Sequence, residues 1–256
     1  MDLCLVGSEM CIRDRDDSGE IRALIVSSTG PHFSAGIDLS MFKDDVVEHE
    51  TNQELGRSRG YFIQQLKFLQ RAASCLEDAR FPVVAAVQGG CIGGGIDLIT
   101  AADIRLCTKD AFFLIEEINV GLAADIGTIQ RLPKIIPAGI AREWTMMGEK
   151  ISAERAKEVG LVSSLHESHE ELIDSAFEMA EKLASKTPLA MWVTKEVLNY
   201  SRDHSVKEGL DNVALWNAAT LHKEDVMTTM MSKMQKKKPE YRNLRDKNFL
   251  KHKSSK

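Results

Sequence analysis

No stretch of the 256-residue sequence approaches the roughly 18 consecutive apolar residues of a membrane-crossing helix, so a membrane-embedded protein is not expected. The five cysteines (Cys4, Cys11, Cys75, Cys91 and Cys107) form no Cys-x-x-Cys pair and no metal-ligand spacing. That argues against a disulfide framework and a zinc module, and a reduced, intracellular chain is expected. The seven histidines contain no His-Glu-x-x-His pattern. His32 lies near a motif described below, but as a loop histidine it is expected to be solvated. Formal charge is −5, yet residues 236–256 carry nine Lys/Arg against two acids, so the body is strongly acidic and the tail basic. The tail is expected to be solvated, or to meet an acidic neighbouring subunit or ligand phosphates. Nucleic acid is not an expected partner, because no aromatic residues interleave the lysines in the pattern of a stacking surface.

What is present reads as an α/β chain. Residues 21–28, "IRALIVSS", form an apolar, β-branched run ending in the turn signal "TGP", which predicts a buried strand. Residues 83–87, "VVAAV", predict a second. Between them, Tyr61, Phe62, Leu66, Leu69 and Ala73 fall near helical spacing. The segments "IRLCT" and "AFFLI" predict further short strands. From residue 166 the pattern becomes helical: Ser168 with Glu171 and Ser205 with Glu208 have capping-box spacing, each ahead of an amphipathic run. One run is Leu172, Ile173, Ala176, Phe177, Ala180 and Leu183, and the other is Leu210, Val213, Ala214 and Trp216. Met227, Met230, Met231 and Met234 then make a stripe suited to helix packing or to a subunit interface. The expected organisation is residues 16–165 as an α/β core, 166–235 as a helical region and 236–256 as a basic tail. Residues 1–15 stand apart. "CLVGSEMCIRDR" has neither helical nor strand periodicity and resembles a peptide produced when sequencing-adaptor sequence is translated into an open reading frame. Those residues are expected to be non-native, with the native start and any targeting signal missing.

The densest signal is "GGCIGGGIDL", residues 89–98, directly after the second strand, with five glycines in its first seven residues. A phosphate loop would end in Gly-Lys-Ser/Thr and a dinucleotide site needs Gly-x-Gly-x-x-Gly; neither is present, and Asp97 would repel a phosphate. Glycines also let backbone approach a ligand closely, and a helix start offers amide N–H groups without partners. Such donors stabilise charge developing on a carbonyl oxygen by about 3 kcal/mol each, and a nearby acid moves a proton on the adjacent carbon. The plainer alternative is a glycine turn that packs a helix tightly on a sheet. "HFSAGIDLSMF", residues 32–42, is a second strand-to-turn site of the same kind. A third element, residues 112–137, places Glu116, Glu117 and Asp125 among apolar neighbours, where desolvation raises carboxyl pKa values toward neutrality. Asp125 alternatively caps the helix beginning near Ile126.

Together "FSAGIDL", "AAVQGGCIGGGIDLITAADIRLCT" and "DAFFLIEEINVGLAADIGTIQRLPKII" resemble the enoyl-CoA hydratase/isomerase (crotonase) superfamily, most closely its Δ3,5-Δ2,4-dienoyl-CoA isomerases. The resemblance runs from about residue 21 to residue 242. It implies the crotonase (ClpP-like) fold of repeated strand-strand-helix units, with a C-terminal helical region that builds trimers or hexamers. It implies an acyl-CoA thioester substrate whose carbonyl oxygen sits between the amides of Ala35 and Gly94, with Gly36, Ile37, Asp38 and Leu39 lining the CoA and acyl segment. Glu117 would remove a proton from C2, Asp125 would protonate C6, and Asp97 would support or polarise the pair. No metal or redox cofactor is implied, since CoA arrives with the substrate. A mitochondrial or peroxisomal setting is implied, although "SSK" at residues 254–256 is not the Ser-Lys-Leu peroxisomal address. Glu116 and Asn119 depart from the isomerase pattern, and by alternation Glu116 should point away from Glu117. Nothing before residue 16 matches the family's opening strands and CoA-contacting helix, so an uncovered sheet edge is expected. The competing readings are a 2-enoyl-CoA hydratase, a Δ3-Δ2-enoyl-CoA isomerase, and a non-catalytic scaffold or RNA binder on the same fold.

Overall fold

The structure, a computed structural model, describes residues 2–36 and 55–247. It opens with α1 (Asp2–Ser18), packed against α2 (Leu55–Asp78). Residues 4–15 carry neither helical nor strand periodicity. The segment is helical nonetheless. The contact with α2 is fixed at the end of α1, where the buried Asp16 carboxylate accepts hydrogen bonds from Arg80 N (2.9 Å) and Arg80 Nε (3.1 Å).

Two sheets form the centre. One is parallel, in the order β1 (Leu24–Val26), β2 (Val83–Val87), β4 (Ile104–Thr108) and β7 (Ser164–His166). In the other, β3 (Gly90–Ile92) pairs parallel with β5 (Phe112–Leu114), which pairs antiparallel with β6 (Ile151–Ser152). The chain thus alternates between sheets and then turns into helix. β2 and β3 lead to α3 (Gly94–Ala101); β4 and β5 lead to α4 (Thr128–Ile135) and α5 (Ala138–Met147). This is the repeated strand-strand-helix unit that the resemblance implied. After β6, α6 (Ala153–Glu158) returns the chain to β7.

The unbroken apolar run of β2 follows from burial of both its faces. Val83, Ala85 and Val87 join the main core with Ile96, Ile99 and Phe113. Val84 and Ala86 face Leu106, Leu172 and Ala176 on the opposite side. β1 corrects the expectation of a buried strand over residues 21–28. It is shorter and only half-buried, because it forms an edge of its sheet. The start of the site's helix is aimed by β2 and β3, and its far end is held by Arg105. That guanidinium donates to Ala102 O (2.6 Å) and Ile99 O (3.2 Å), a cation placed at the negative end of α3.

The remaining helices are α7 (His169–Ala184), α8 (Pro188–Asp203), α9 (Val206–Thr220) and α10 (Lys223–Gln235). Ser205 and Glu208 make the full capping box. The expected box at Ser168 is only half formed. Ser168 Oγ accepts from Glu171 N, but the Glu171 carboxylate accepts from Glu167 N (2.9 Å), one residue earlier. α7 buries Leu172 and Ala176, whereas Phe177 is exposed. Leu210 on α9 and all four methionines on α10 are also exposed, Met234 to 85%. The methionine stripe is therefore only partly covered by its own chain. Among the described residues no helix is long and apolar enough to cross a membrane.

α8 is joined to the core by Lys195, only 6% exposed. Its ammonium donates to Leu76 O (2.7 Å) and Phe81 O (3.1 Å) and pairs with Asp103 Oδ2 (2.8 Å). Asp103 Oδ2 also accepts from Val83 N (2.7 Å), so one buried charge ties α2, β2 and α8 together. Removing it leaves a carboxylate and two carbonyl groups short of a donor. Lys195→Ala is expected to lower unfolding free energy by about 3 kcal/mol, measured by urea denaturation.

Candidate active site

The site begins where residues 28–36 run alongside β3. Phe33 N donates to Gln88 O (2.9 Å), Ser34 N to Gly90 O (3.0 Å) and Ile92 N to Ser34 O (3.1 Å). The buried Gln88 side chain donates from Nε2 to Ser28 O (2.7 Å) and Gly30 O (3.0 Å), closing the loop from below. The expectation of a solvated His32 holds for its exposure. Its Nδ1 nonetheless accepts a hydrogen bond from Gly90 N (2.8 Å) and so joins the two glycine-bearing segments. Neither His32 nor Gln88 was legible as a support for the site, because both act on backbone that is distant in sequence.

Gly93 makes the turn into α3 with φ +52° and ψ −119°, a region closed to residues bearing a Cβ. Gly95 is required by proximity instead. A Cβ there would lie 2.7 Å from Ser34 Cβ, so any side chain would push α3 away from residues 34–36. Around Gly94, by contrast, a Cβ would meet nothing within 4 Å, which leaves its backbone open on that side. Gly94 is the first residue of α3, so its N–H has no partner within the helix. Among the described residues neither the Gly94 nor the Ala35 amide donates a hydrogen bond to another protein group. Of the expected acyl-binding residues, Ala35 is exposed and Gly36 buried beside Gly93. Ile37, Asp38 and Leu39 lie outside the described residues.

Three carboxyl groups gather around this backbone. Asp97, in the first turn of α3, is 1% exposed. Its Oδ1 accepts two hydrogen bonds from Thr128, one from N and one from Oγ1, each 2.7 Å. Its Oδ2 is buried without a partner. Burial pushes the Asp97 carboxyl up, the Thr128 bonds and the Arg131 charge oppose this, and Asp125 adds to it.

Glu117 opens a short 3-10 turn (Glu117–Val120) directly after β5. A Cβ on Gly93 would lie 3.3 Å from Glu117 Oε1 and 3.8 Å from Gly36 Cα, so the glutamate carboxyl and Gly36 both lie close to Gly93. Its Oε2 is buried and unpartnered. Burial first, and then the charges of Asp97, Asp125 and Glu116, raise this carboxyl to about 7. Glu116 itself is tied elsewhere. Its Oε2 accepts from Asn119 Nδ2 (2.9 Å), which also donates to Gly148 O (2.9 Å).

Asp125 stands on the segment between that turn and α4. It does not cap α4, whose N-cap is Gly127 without a side-chain bond. The side chain is exposed, yet the surrounding protein still raises its carboxyl above the ordinary aspartate range. The segment is gripped from α2. Gln70 Nε2 donates to Asp125 O (2.7 Å), while Arg131 reaches Ser74 Oγ (2.8 Å) and Glu77 Oε2 (2.8 Å). Gln70, Ser74 and Glu77 follow i, i+4, i+7 spacing and form one polar stripe of the helix. Burial would push the Glu77 carboxyl up, but hydrogen bonds from Arg202 and Arg131 hold it below its usual range. The segments that carry these open amides thus carry or adjoin three carboxyl groups whose proton affinity burial raises, Glu117 to about 7. That arrangement suits proton transfer on carbon next to a thioester or similar carbonyl.

Residues 10–247 match the family model described as enoyl-CoA hydratase/isomerase. The chain is 41% identical to the peroxisomal Delta(3,5)-Delta(2,4)-dienoyl-CoA isomerase of Arabidopsis thaliana, over 90% of this chain and 82% of that protein. It is 40% identical to the mitochondrial Delta(3,5)-Delta(2,4)-dienoyl-CoA isomerase of Rattus norvegicus, over 89% of this chain and 69% of that protein. Among solved structures, an enoyl-CoA hydratase from Bacillus anthracis superposes with a TM-score of 0.82 at 26% identity, covering 94% of this chain and 89% of that one. With the alternating strand-strand-helix units and the glycine-bordered carboxyl cluster, these matches mean that the chain belongs to the enoyl-CoA hydratase/isomerase (crotonase) family.

Proposed function

We propose that this chain isomerises 3,5-dienoyl-CoA to 2,4-dienoyl-CoA. The observation that carries the reading is the third carboxyl. Hydration needs two acids holding one water near C2 and C3, and Asp97 with Glu117 would suffice for that. Asp125, on a separate segment held in place by α2, adds a proton carrier further along the acyl chain. The two dienoyl-CoA isomerases reported above support the same assignment by their names.

In this reading the thioester oxygen accepts hydrogen bonds from the Ala35 and Gly94 amides. Ionised Glu117 takes a proton from C2. The released electron pair delocalises onto the thioester oxygen and along the conjugated chain, where the two amides stabilise the negative charge. Protonated Asp125 then delivers its proton to C6. The double bonds move from C3–C4 and C5–C6 to C2–C3 and C4–C5, leaving Glu117 protonated and Asp125 ionised. Exchange of one proton between the acids through solvent restores the starting state. Desolvation raises the proton affinity of both groups, Glu117 to about 7 and Asp125 above the ordinary aspartate range. Asp97, buried and close enough to raise Glu117, supports the base electrostatically.

The exposed apolar residues of α9 and α10, among them Leu210, Leu215, Met227 and Met231, support assembly of the chain with further copies of itself. The peroxisomal and mitochondrial relatives support either compartment as the setting.

With 3,5-octadienoyl-CoA the protein is expected to generate conjugated-diene absorbance, and with 2-octenoyl-CoA to leave enoyl absorbance nearly unchanged. Rapid loss of the latter would favour a hydratase. Asp125→Asn is expected to reduce diene formation about a thousandfold, with CoA affinity nearly intact in a fluorescence titration. Because Glu117 acts ionised and titrates at about 7, kcat/KM for the diene should fall about tenfold per pH unit below that value. Asp97→Asn removes a negative charge that raises Glu117, so it should move this limb to lower pH. Sedimentation equilibrium is expected to give trimers or paired trimers, and a monomer at micromolar concentration would contradict the assembly.

A further inference from the structure

We infer that Thr128 is a positioning residue of this site, acting through Asp97: its N–H and O–H together hold Oδ1 at the start of α4, and so fix the charge and orientation of the carboxylate beside Glu117. The inference rests on the proton-transfer role proposed for that cluster. Two donors from one residue on one carboxylate oxygen make a rigid, asymmetric grip, and charge-assisted bonds of this kind are the stronger ones. Thr128 is itself fully buried, so no solvent molecule substitutes for its hydroxyl. The asymmetry leaves Asp97 Oδ2 as a buried oxygen with no partner, a condition shared in this cluster by Glu117 Oε2.

The groups packed around Asp97 leave Thr128 in a distinct position. From α4 come Thr128 and Arg131, but Arg131 is committed to Ser74 and Glu77 of α2. From β3 comes Cys91, a buried thiol whose own ionisation is opposed by Asp97. Asp125 and Glu117 are acids that disfavour the charge on Asp97 rather than stabilise it. Thr128 therefore supplies every hydrogen bond that the Asp97 carboxylate receives among the described residues. Without the hydroxyl, the ionised carboxylate keeps one donor, its proton affinity rises, and the charge that makes Glu117 a stronger base weakens.

The test is a double-mutant cycle on the full chain, using Thr128→Val, Thr128→Ser, Asp97→Asn and the Thr128→Val/Asp97→Asn pair. With 3,5-octadienoyl-CoA, Thr128→Val should lower kcat roughly ten- to a hundredfold with KM little changed, and Thr128→Ser should restore it. In the Asp97→Asn background the same substitution should have no further effect. An equal loss in both backgrounds, or a loss confined to KM, overturns the inference. If the unmodified protein forms no conjugated diene, the isomerase reading fails, and the same proteins still test the grip by thermal unfolding. Thr128→Val should then depress Tm above the Asp97 pKa, less so as pH falls and Asp97 is protonated, and not at all when residue 97 is Asn. A depression independent of both pH and residue 97 overturns it. Should Thr128→Val fail to fold, the double variant must fold, since the penalty resides in the carboxylate it lacks; failure of both overturns the inference as well.

Discussion

The site depends on how closely the start of α3 approaches residues 34–36. Gly95 allows that approach because it has no Cβ to meet Ser34, and Gly93 turns the chain through a conformation that other residues avoid. Among the described residues the amides of Ala35 and Gly94, one on each of these segments, donate to no other protein group. The same approach forces Asp97, one turn into the helix, out of contact with water. A surface helix would gain from an acid at that position at little cost. Here the acid is buried, and the cost is met locally by Thr128 rather than by the helix's own N-terminus.

Three acids so near one another repel when ionised, and burial strengthens the repulsion. The structure offsets this unevenly. Asp97 receives two donors on one oxygen, Glu117 is left with an unpartnered oxygen and a pKa of about 7, and Asp125 retains access to solvent. Different surroundings thus separate the behaviour of chemically similar groups, which a proton relay requires. Arg131, whose charge lowers the Asp97 carboxyl, is engaged by Glu77, so it moderates Asp97 without neutralising the cluster.

Much of the framework was legible in the sequence because it rests on local patterns. The run at residues 83–87 is apolar at every position since both its faces are covered, and the helix after the glycines begins at Gly94. Glu117 and Asp125 were singled out by apolar neighbours and by family resemblance. What escaped was non-local. Thr128 reads as an ordinary first-turn residue until α4 is placed against α3. His32 reads as a solvated loop residue until Gly90 is placed beside it. The Ser168 box failed for a related reason, since the Glu171 carboxylate found Glu167 N instead. The helix at residues 2–18 escaped because its sequence carries no stripe, and its contacts lie on α2 and Arg80.

The polar stripe of α2 has an implication for which length changes the fold tolerates. Gln70 holds the backbone at Asp125, and Ser74 with Glu77 holds Arg131 on the far side, so one face of the helix brackets the acid segment from both ends. An α-helix rotates about 100° per residue. One residue inserted between Gln70 and Ser74 would swing one end of the bracket a quarter-turn or more relative to the other. The spacing from Gln70 to Glu77 is therefore set by the segment that this face of the helix holds.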